Sequence, residues 1–375
     1  MSDEISAEPP SITKSSRDAG ETGKHLAEWL HGVLPEGADP EVERVTVPES
    51  NGMSSETLLF DASWVSDGER ERHELVARVA PDIVDVPVFP SYDLESQFRV
   101  MQLVGQHTDV PVPAVRWLEL DPAAIGAPFF VMDRVEGRVP PDVMPYPMGS
   151  WLFDADKEDQ RALQDASVAV LAGVHAMDLD TVDASFLALT TAGDTPLRRH
   201  VANQRAYYDW VRGDETIPVV EEAFDWLDAN WPDDEGDTVI SWGDARVGNI
   251  MYDGFAPVAV LDWEMAALGT RGIDVGWMVF IHDFFQDICR VLEMPGMPGF
   301  MRSGDVAATY AELSGVGVAD MAFYEVYAAL RHAIVMARVN ARSVHFGDAE
   351  APATPDEAVM HRDLLRLMMA GGHHR

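Results

Sequence analysis

Asp244, Arg246, Asn249 and Asp262 crowd one short stretch of this chain, SWGDARVGNIMYDGFAPVAVLDWE, residues 241–264, with almost no other charge nearby. Asp253-Gly254 is a strong hairpin signal between NIMY and PVAVL. Pairing Tyr252 with Pro257 also pairs Asn249 with Val260. Asp262 then lies two residues further on, about 7 Å along at strand rise. The Asn249 and Asp262 side chains can therefore converge at the open end of the hairpin, and Asp244 stands in the loop that enters it.

An amide oxygen beside a carboxylate is a poor zinc set but a good magnesium set. Mg²⁺ takes oxygen ligands, keeps several waters and shares the rest with substrate phosphates. The remaining pieces suit phosphoryl transfer. A carboxylate must accept the attacking hydroxyl's proton, and a cation must offset charge on the moving group. Asp244 and Arg246 are candidates for those two tasks. Taken singly, each residue reads as ordinary loop chemistry, with Asp244 capping amides, Asn249 in a turn and Asp262 at a strand end. The ordered set beside a hairpin is what carries a functional meaning.

GDARVGN followed by LDWE resembles the aminoglycoside phosphotransferase and choline kinase families, which share the protein-kinase-like fold. Their signature is H-G-D-x-x-x-x-N and then a D-[FW]-E-like segment. Gly243, Asp244 and Asn249 match it, and Asp262 follows Asp244 by 18 residues. The resemblance covers roughly residues 45–345. It is closest to actinobacterial proteins labelled as aminoglycoside phosphotransferases and to the kinase-like domain fused to some acyl-CoA dehydrogenases. It implies Asp244 as catalytic base, Asn249 and Asp262 as Mg²⁺ ligands, and ATP as donor. Arg246 falls where protein kinases carry a phosphate-contacting lysine. Asp274, in GIDVGW, matches an acidic position that orders the catalytic loop. One departure is Trp242 in place of the signature histidine: an indole N–H can replace a donor but not an acceptor.

The same resemblance assigns nucleotide contacts earlier in the chain. Gly52, Ser54 and Ser55 match a phosphate-covering turn, with Gly52 allowing close backbone approach. Arg78, in LVARVAP, stands where these kinases place a strand lysine; it stays charged but offers a longer, planar fork. Gln97 occupies the position of that lysine's usual glutamate partner, with Glu95 two residues away. PFFVMDRVEG resembles the segment that meets adenine, through backbone around Asp133 to Val135 and an apolar wall at Met132.

The elements that must position these residues follow from patterning. ETGKHLAEWLHGVL has helical apolar spacing and stops at Pro35. TLLFDASWVSDGERERHELVARVAP reads as strand, turn and strand, and SYDLESQFRVMQLVGQH as a helix. VPVPAVRWLEL and PFFVMDRVEG read as strands. Beyond residue 137 the segments are mostly helical, with the hairpin inserted among them and a Pro-rich loop, RVPPDVMPYPMGSW, before them. The expected fold is α+β: a bilobal protein-kinase-like arrangement of a flexible tail at 1–20, a mixed β-sheet nucleotide-binding lobe at 21–133, and a mainly helical catalytic and substrate lobe at 134–375.

Composition narrows the function further. The chain has 375 residues, with 27 basic and 64 acidic side chains and a formal net charge of −37. Such a field repels nucleic acid and anionic membranes, so any anionic ligand needs local cations. Cys289 is the single cysteine, so no disulfide forms within the chain; with no apolar leader and no uncharged apolar run of spanning length, a cytoplasmic protein is expected. His73 lacks the second histidine of a zinc-protease motif, and no Walker A or nucleophile-elbow pattern occurs. His175 near a helix end reads as packing. The expected partner is a small-molecule hydroxyl acceptor, with Glu264, Asp283 and Tyr207 as candidate contacts: aminoglycoside-like, sugar, amino alcohol or hydroxyacyl compound. Trp242, Arg78 and Gln97 suggest the rival reading, a nucleotide-binding regulator without turnover.

Overall fold

The computed structural model describes residues 18–46, 56–81 and 86–372. In chain order the elements are α1 (Ala19–Val33), β1 (Glu41–Thr46), β2 (Glu56–Ser66), β3 (Glu69–Val79), α2 (Leu94–His107), β4 (Val115–Glu119), β5 (Phe129–Asp133), α3 (Lys157–His175), α4 (Pro196–Arg212), α5 (Pro218–Ala229), β6 (Thr238–Ser241), β7 (Ile250–Asp253), β8 (Ala256–Val260), β9 (Ala267–Thr270), α6 (Arg271–Val291), α7 (Ser303–Ser314), α8 (Met321–Phe346) and α9 (Arg362–Met369). Two compact units divide the chain. The first holds residues up to Glu95 with Val115–Arg134 and Arg342–Glu350, and the second holds Ser96–Ala114, Val135–Ala341 and Ala351–Arg375. The reading from sequence put the boundary at residue 133 and counted α2 with the first lobe; most of that helix groups with the second unit. Of the expected tail, residues 1–17 lie outside the described residues, whereas Asp18 caps α1 by accepting the Glu21 N–H.

The first unit is built on an antiparallel sheet in the order β1-β2-β3-β5-β4. Alternation along β2 sends Leu58, Phe60, Ala62 and Trp64 to one face, joined by Leu75, Ala77 and Val79 of β3 and Phe129 and Val131 of β5. Leu26 and Leu30, one helical turn apart on α1, pack into that face. The β2–β3 turn is Asp67-Gly68, both at positive φ (51° and 88°), as a two-residue hairpin of strand-matching twist requires.

The second unit is mainly helical, and its two small β-pairs carry the motif. β6 pairs with β9, and β7 pairs with β8. Tyr252 does pair with Pro257, but a bulge beside Met251 shifts the rest of the hairpin by one residue, so that Val260 faces Ile250 rather than Asn249. The Leu261 N–H then donates to the Asn249 carbonyl at 2.9 Å. The bulge thus draws Asn249 one residue nearer to Asp262 than a regular ladder allows.

Helix α6 follows β9 directly and packs closely on α8. Gly272 and Gly276, four apart on α6, make this approach possible: a Cβ on Gly276 would stand 2.7 Å from the Tyr324 backbone, and one on Gly272 would stand 2.3 Å from the Tyr324 ring. The tight approach brings the buried residues Trp277 of α6 and Arg331 of α8 face to face.

Candidate active site

Asp274, fully buried in the first turn of α6, organises the loop that carries the motif. Its Oδ1 accepts from Ser241 Oγ (2.7 Å) and the Gly243 N–H (2.9 Å), and its Oδ2 from the Trp242 N–H (2.7 Å) and His175 Nε2 (2.9 Å). Burial works against its charge, yet the bonds from His175, Ser241 and Gly243 hold its carboxyl below the usual carboxylate range. His175 is more than packing. Arg271 donates to the Tyr310 hydroxyl at 3.2 Å, that hydroxyl serves His175 Nδ1 at 2.8 Å, and Nε2 is left to carry its proton toward Asp274. Only its place near a helix end was visible in the sequence; the partner lies 99 residues away.

Gly243 turns the chain into the loop at φ 91°, and a Cβ there would stand 2.2 Å from the Met265 carbonyl oxygen, so no other residue fits. Trp242 is fully buried. Its indole N–H is shared between the carbonyls of Leu261 (3.0 Å) and Asp262 (3.1 Å), and its ring packs on Trp263. The indole acts as a donor only, and in that way ties the loop to the segment bearing Asp262. Asp262 itself takes a left-handed backbone, φ 59°, rare for a residue with a side chain.

Asp244 lies at the centre, its side chain 15% exposed. Asn249 Nδ2 donates to its carbonyl (3.0 Å) and to its Oδ2 (2.6 Å). Arg246 Nε reaches both carboxylate oxygens, at 3.1 and 3.0 Å. Trp277 Nε1 donates to Oδ1 at 2.7 Å. Arg246 also pairs through Nη1 with Asp142 of the Pro-rich loop. Burial works against the guanidinium's charge, but the two carboxylates hold it firmly protonated. A Cβ on Gly248 would stand 2.6 Å from the Asp142 carboxylate, so a glycine gives that loop its place.

Three of the expected residues, Asp244, Arg246 and Asn249, are therefore joined by direct hydrogen bonds. Asp262 is linked to them through the Trp242 indole, and half-buried Glu264 follows two residues later. Half-buried Asp283 lies on α6, where its charge, after burial, Asp142 and Tyr252, raises the proton affinity of the Tyr146 hydroxyl. Tyr207 stacks on Trp210 within α4 at 5.9 Å between centroids. Arg78, Met132 and Asp133 belong to the first unit. Arg78 Nη1 donates to Thr57 Oγ1 at 3.1 Å, Met132 is buried, and the Asp133 side chain pairs with Arg116. The Arg134 N–H is taken by the Glu74 carbonyl at 3.0 Å. Val135 begins the main segment of the second unit. Gly52, Ser54 and Ser55 lie outside the described residues. Asp142, Trp277 and Arg331 escaped the sequence reading. For Trp277 a signal existed, since it stands three residues after Asp274 and so on the same helix face.

Comparison with known proteins places the chain in a family. The model of the phosphotransferase enzyme family, APH, matches residues 55–301. The chain belongs to the phosphotransferase enzyme family. Among curated relatives, "Probable acyl-CoA dehydrogenase IBR3" of Arabidopsis thaliana is 26% identical over 323 residues, 80% of this chain. This family member spans 36% of that protein's length. Among solved structures, a "putative aminoglycoside phosphotransferase" from Ralstonia eutropha superposes with a TM-score of 0.63 at 21% identity, covering 93% of this chain and 97% of the other. A thermostable mutant of aminoglycoside phosphotransferase APH(4)-Ia, in ternary complex with ADP and hygromycin B, superposes at 0.54 with 16% identity, covering 92% and 98%. The fold is the α+β, kinase-like fold of these phosphotransferases. Among the described residues no helix is long and apolar enough to cross a membrane.

Proposed function

We propose that this phosphotransferase moves the γ-phosphoryl group of ATP to a hydroxyl of a small molecule, with Asp244 as base. The acceptor's proton passes to a carboxylate oxygen of Asp244 as the acceptor oxygen bonds to the γ-phosphorus. The bond from that phosphorus to the bridging oxygen breaks, and its electron pair leaves on ADP. The observation that carries this reading is the Asn249–Asp244 pair of bonds, which joins the proposed base and the proposed metal ligand into one rigid piece.

Mg²⁺ fits the donor set. Asn249 spends its N–H groups on Asp244, and its Oδ1 takes no part in those bonds. Among the described residues no three His, Cys, Asp or Glu side chains gather as a self-contained metal site. One amide oxygen, the Asp262 carboxylate, phosphate oxygens and water suit Mg²⁺ better than any softer ion. When bound, the ion would neutralise phosphate charge. Arg246 adds a cation that Asp142 and Asp244 keep charged. Gly52, Ser54, Ser55, Arg78, Met132, and the backbone of Asp133 and Val135 are the proposed nucleotide contacts.

For the acceptor we keep an aminoglycoside-like, sugar, amino alcohol or hydroxyacyl compound, met by Glu264, Asp283 and Tyr207, in a cytoplasmic setting. The test is Mg²⁺-dependent ADP release across such a panel. An acceptor that raises ADP release and gains phosphate supports the proposal. Nucleotide binding with no turnover on any acceptor or on water would favour a regulator instead.

A further inference from the structure

Arg331 is an anomaly that phosphotransfer as described leaves unused. It lies in the middle of α8 with 1% exposure and has no ion pair among the described residues. Nη2 donates to the Gly243 carbonyl at 3.0 Å, whereas Nε and Nη1 have no hydrogen-bond partner among the described residues. Burying a cation without a carboxylate is costly, and burial lowers its hold on its proton. What faces the guanidinium instead is the ring of Trp277, with the central carbon 4.4 Å from the centroid. Trp277, 4% exposed, directs its N–H at Asp244 Oδ1 over 2.7 Å.

These contacts form one device. A cation over an indole face is held by the ring's electrons and draws them away from the N–H, which makes that N–H a better donor. The same guanidinium holds the carbonyl of Gly243, the residue before Asp244. The base is thus gripped at its backbone and at one carboxylate oxygen by a single buried charge. Arg246 also reaches both oxygens of that carboxylate, but the proposed reaction calls on its charge for phosphate, whereas the Trp277 contact stays with the base. Trp277 projects from a packed helix and Arg331 from the helix against it.

We propose that Trp277, clamped by Arg331, is a positioning residue that fixes the orientation of the Asp244 carboxylate for proton transfer. Its catalytic meaning rests on the phosphotransfer reading, while the contact itself does not, so two measurements separate them. The first follows the ¹⁵N–¹H resonance of the Trp277 indole in the full chain. It should be shifted downfield in the wild type and move upfield in both Asp244→Asn and Arg331→Met. The second is turnover of Mg·ATP with water as acceptor in Trp277→Phe, which keeps the ring and removes the donor. A loss of about tenfold to a hundredfold in kcat is expected, as for a misplaced catalytic group, with KM for ATP unchanged. An indole resonance blind to Asp244→Asn, or wild-type kcat in Trp277→Phe, overturns the proposal. Wild-type protein without turnover on water or on any acceptor of the panel overturns the phosphotransfer reading instead, and the resonance still judges the contact.

Discussion

Asn249 is proposed to do two jobs with one amide. Its nitrogen grips Asp244, which leaves its oxygen as the group a hard cation would meet. Removing the side chain should therefore raise the magnesium requirement. For Asn249→Ala, the Mg²⁺ concentration giving half-maximal ADP release should rise about tenfold or more, in line with losses seen when one ligand or its support is removed. An unchanged magnesium titration would place the ion elsewhere. At this scale the sequence was partly legible. The types and order of Asp244, Arg246, Asn249 and Asp262 stand in 24 consecutive residues, so local reasoning reaches them. Asp142 meets Arg246 across 104 residues, and His175 meets Asp274 across 99, so only folding reveals those partners.

Close packing of α6 on α8 does for the elements what Asn249 does for the side chains. Gly272 and Gly276 let the two helices approach, and that approach seats Arg331 over Trp277 beneath the loop. Gly276→Ala adds a methyl 2.7 Å from the Tyr324 backbone, which the helices can relieve only by separating. Overpacking of this kind costs about 1–3 kcal/mol. A lower urea midpoint is expected, with the slope of the transition preserved. A midpoint equal to wild type would mean that the contact yields freely. The hairpin turn, the helices and the first unit's β2–β3 pair were readable from alternation and Asp-Gly signals. The bulge beside Met251 was not, because one extra residue in a strand leaves no mark in a periodic pattern. Nor was the value of Arg331, which in sequence merely interrupts an apolar run.

A formal charge of −37 and a set of buried histidines shape how the whole molecule responds to its solvent. Burial holds His200 down at about 3 and both His282 and His361 at about 4, against 6.5 for an exposed imidazole. Between pH 6.5 and about 4 the unfolded chain binds protons that the folded chain refuses. Stability should therefore be unaffected by these groups above pH 7 and fall as pH drops through that window. Thermal unfolding at high ionic strength, where the acidic surface repels itself less, is the clean measurement. A midpoint that stays level from pH 7 to pH 4 would show that these rings gain protons without unfolding. The same net charge repels nucleic acid, so the phosphate-rich ligand proposed above would need cations of its own.

The most direct measurement compares wild type with Asp244→Asn for both Mg·ATP affinity and phosphoryl transfer, since Asn keeps the shape of the carboxylate and removes its capacity as base. Nucleotide affinity should hold while kcat falls by about 10²–10⁴-fold. Equal turnover in the two proteins would contradict the role given to Asp244, and with it the account of the site.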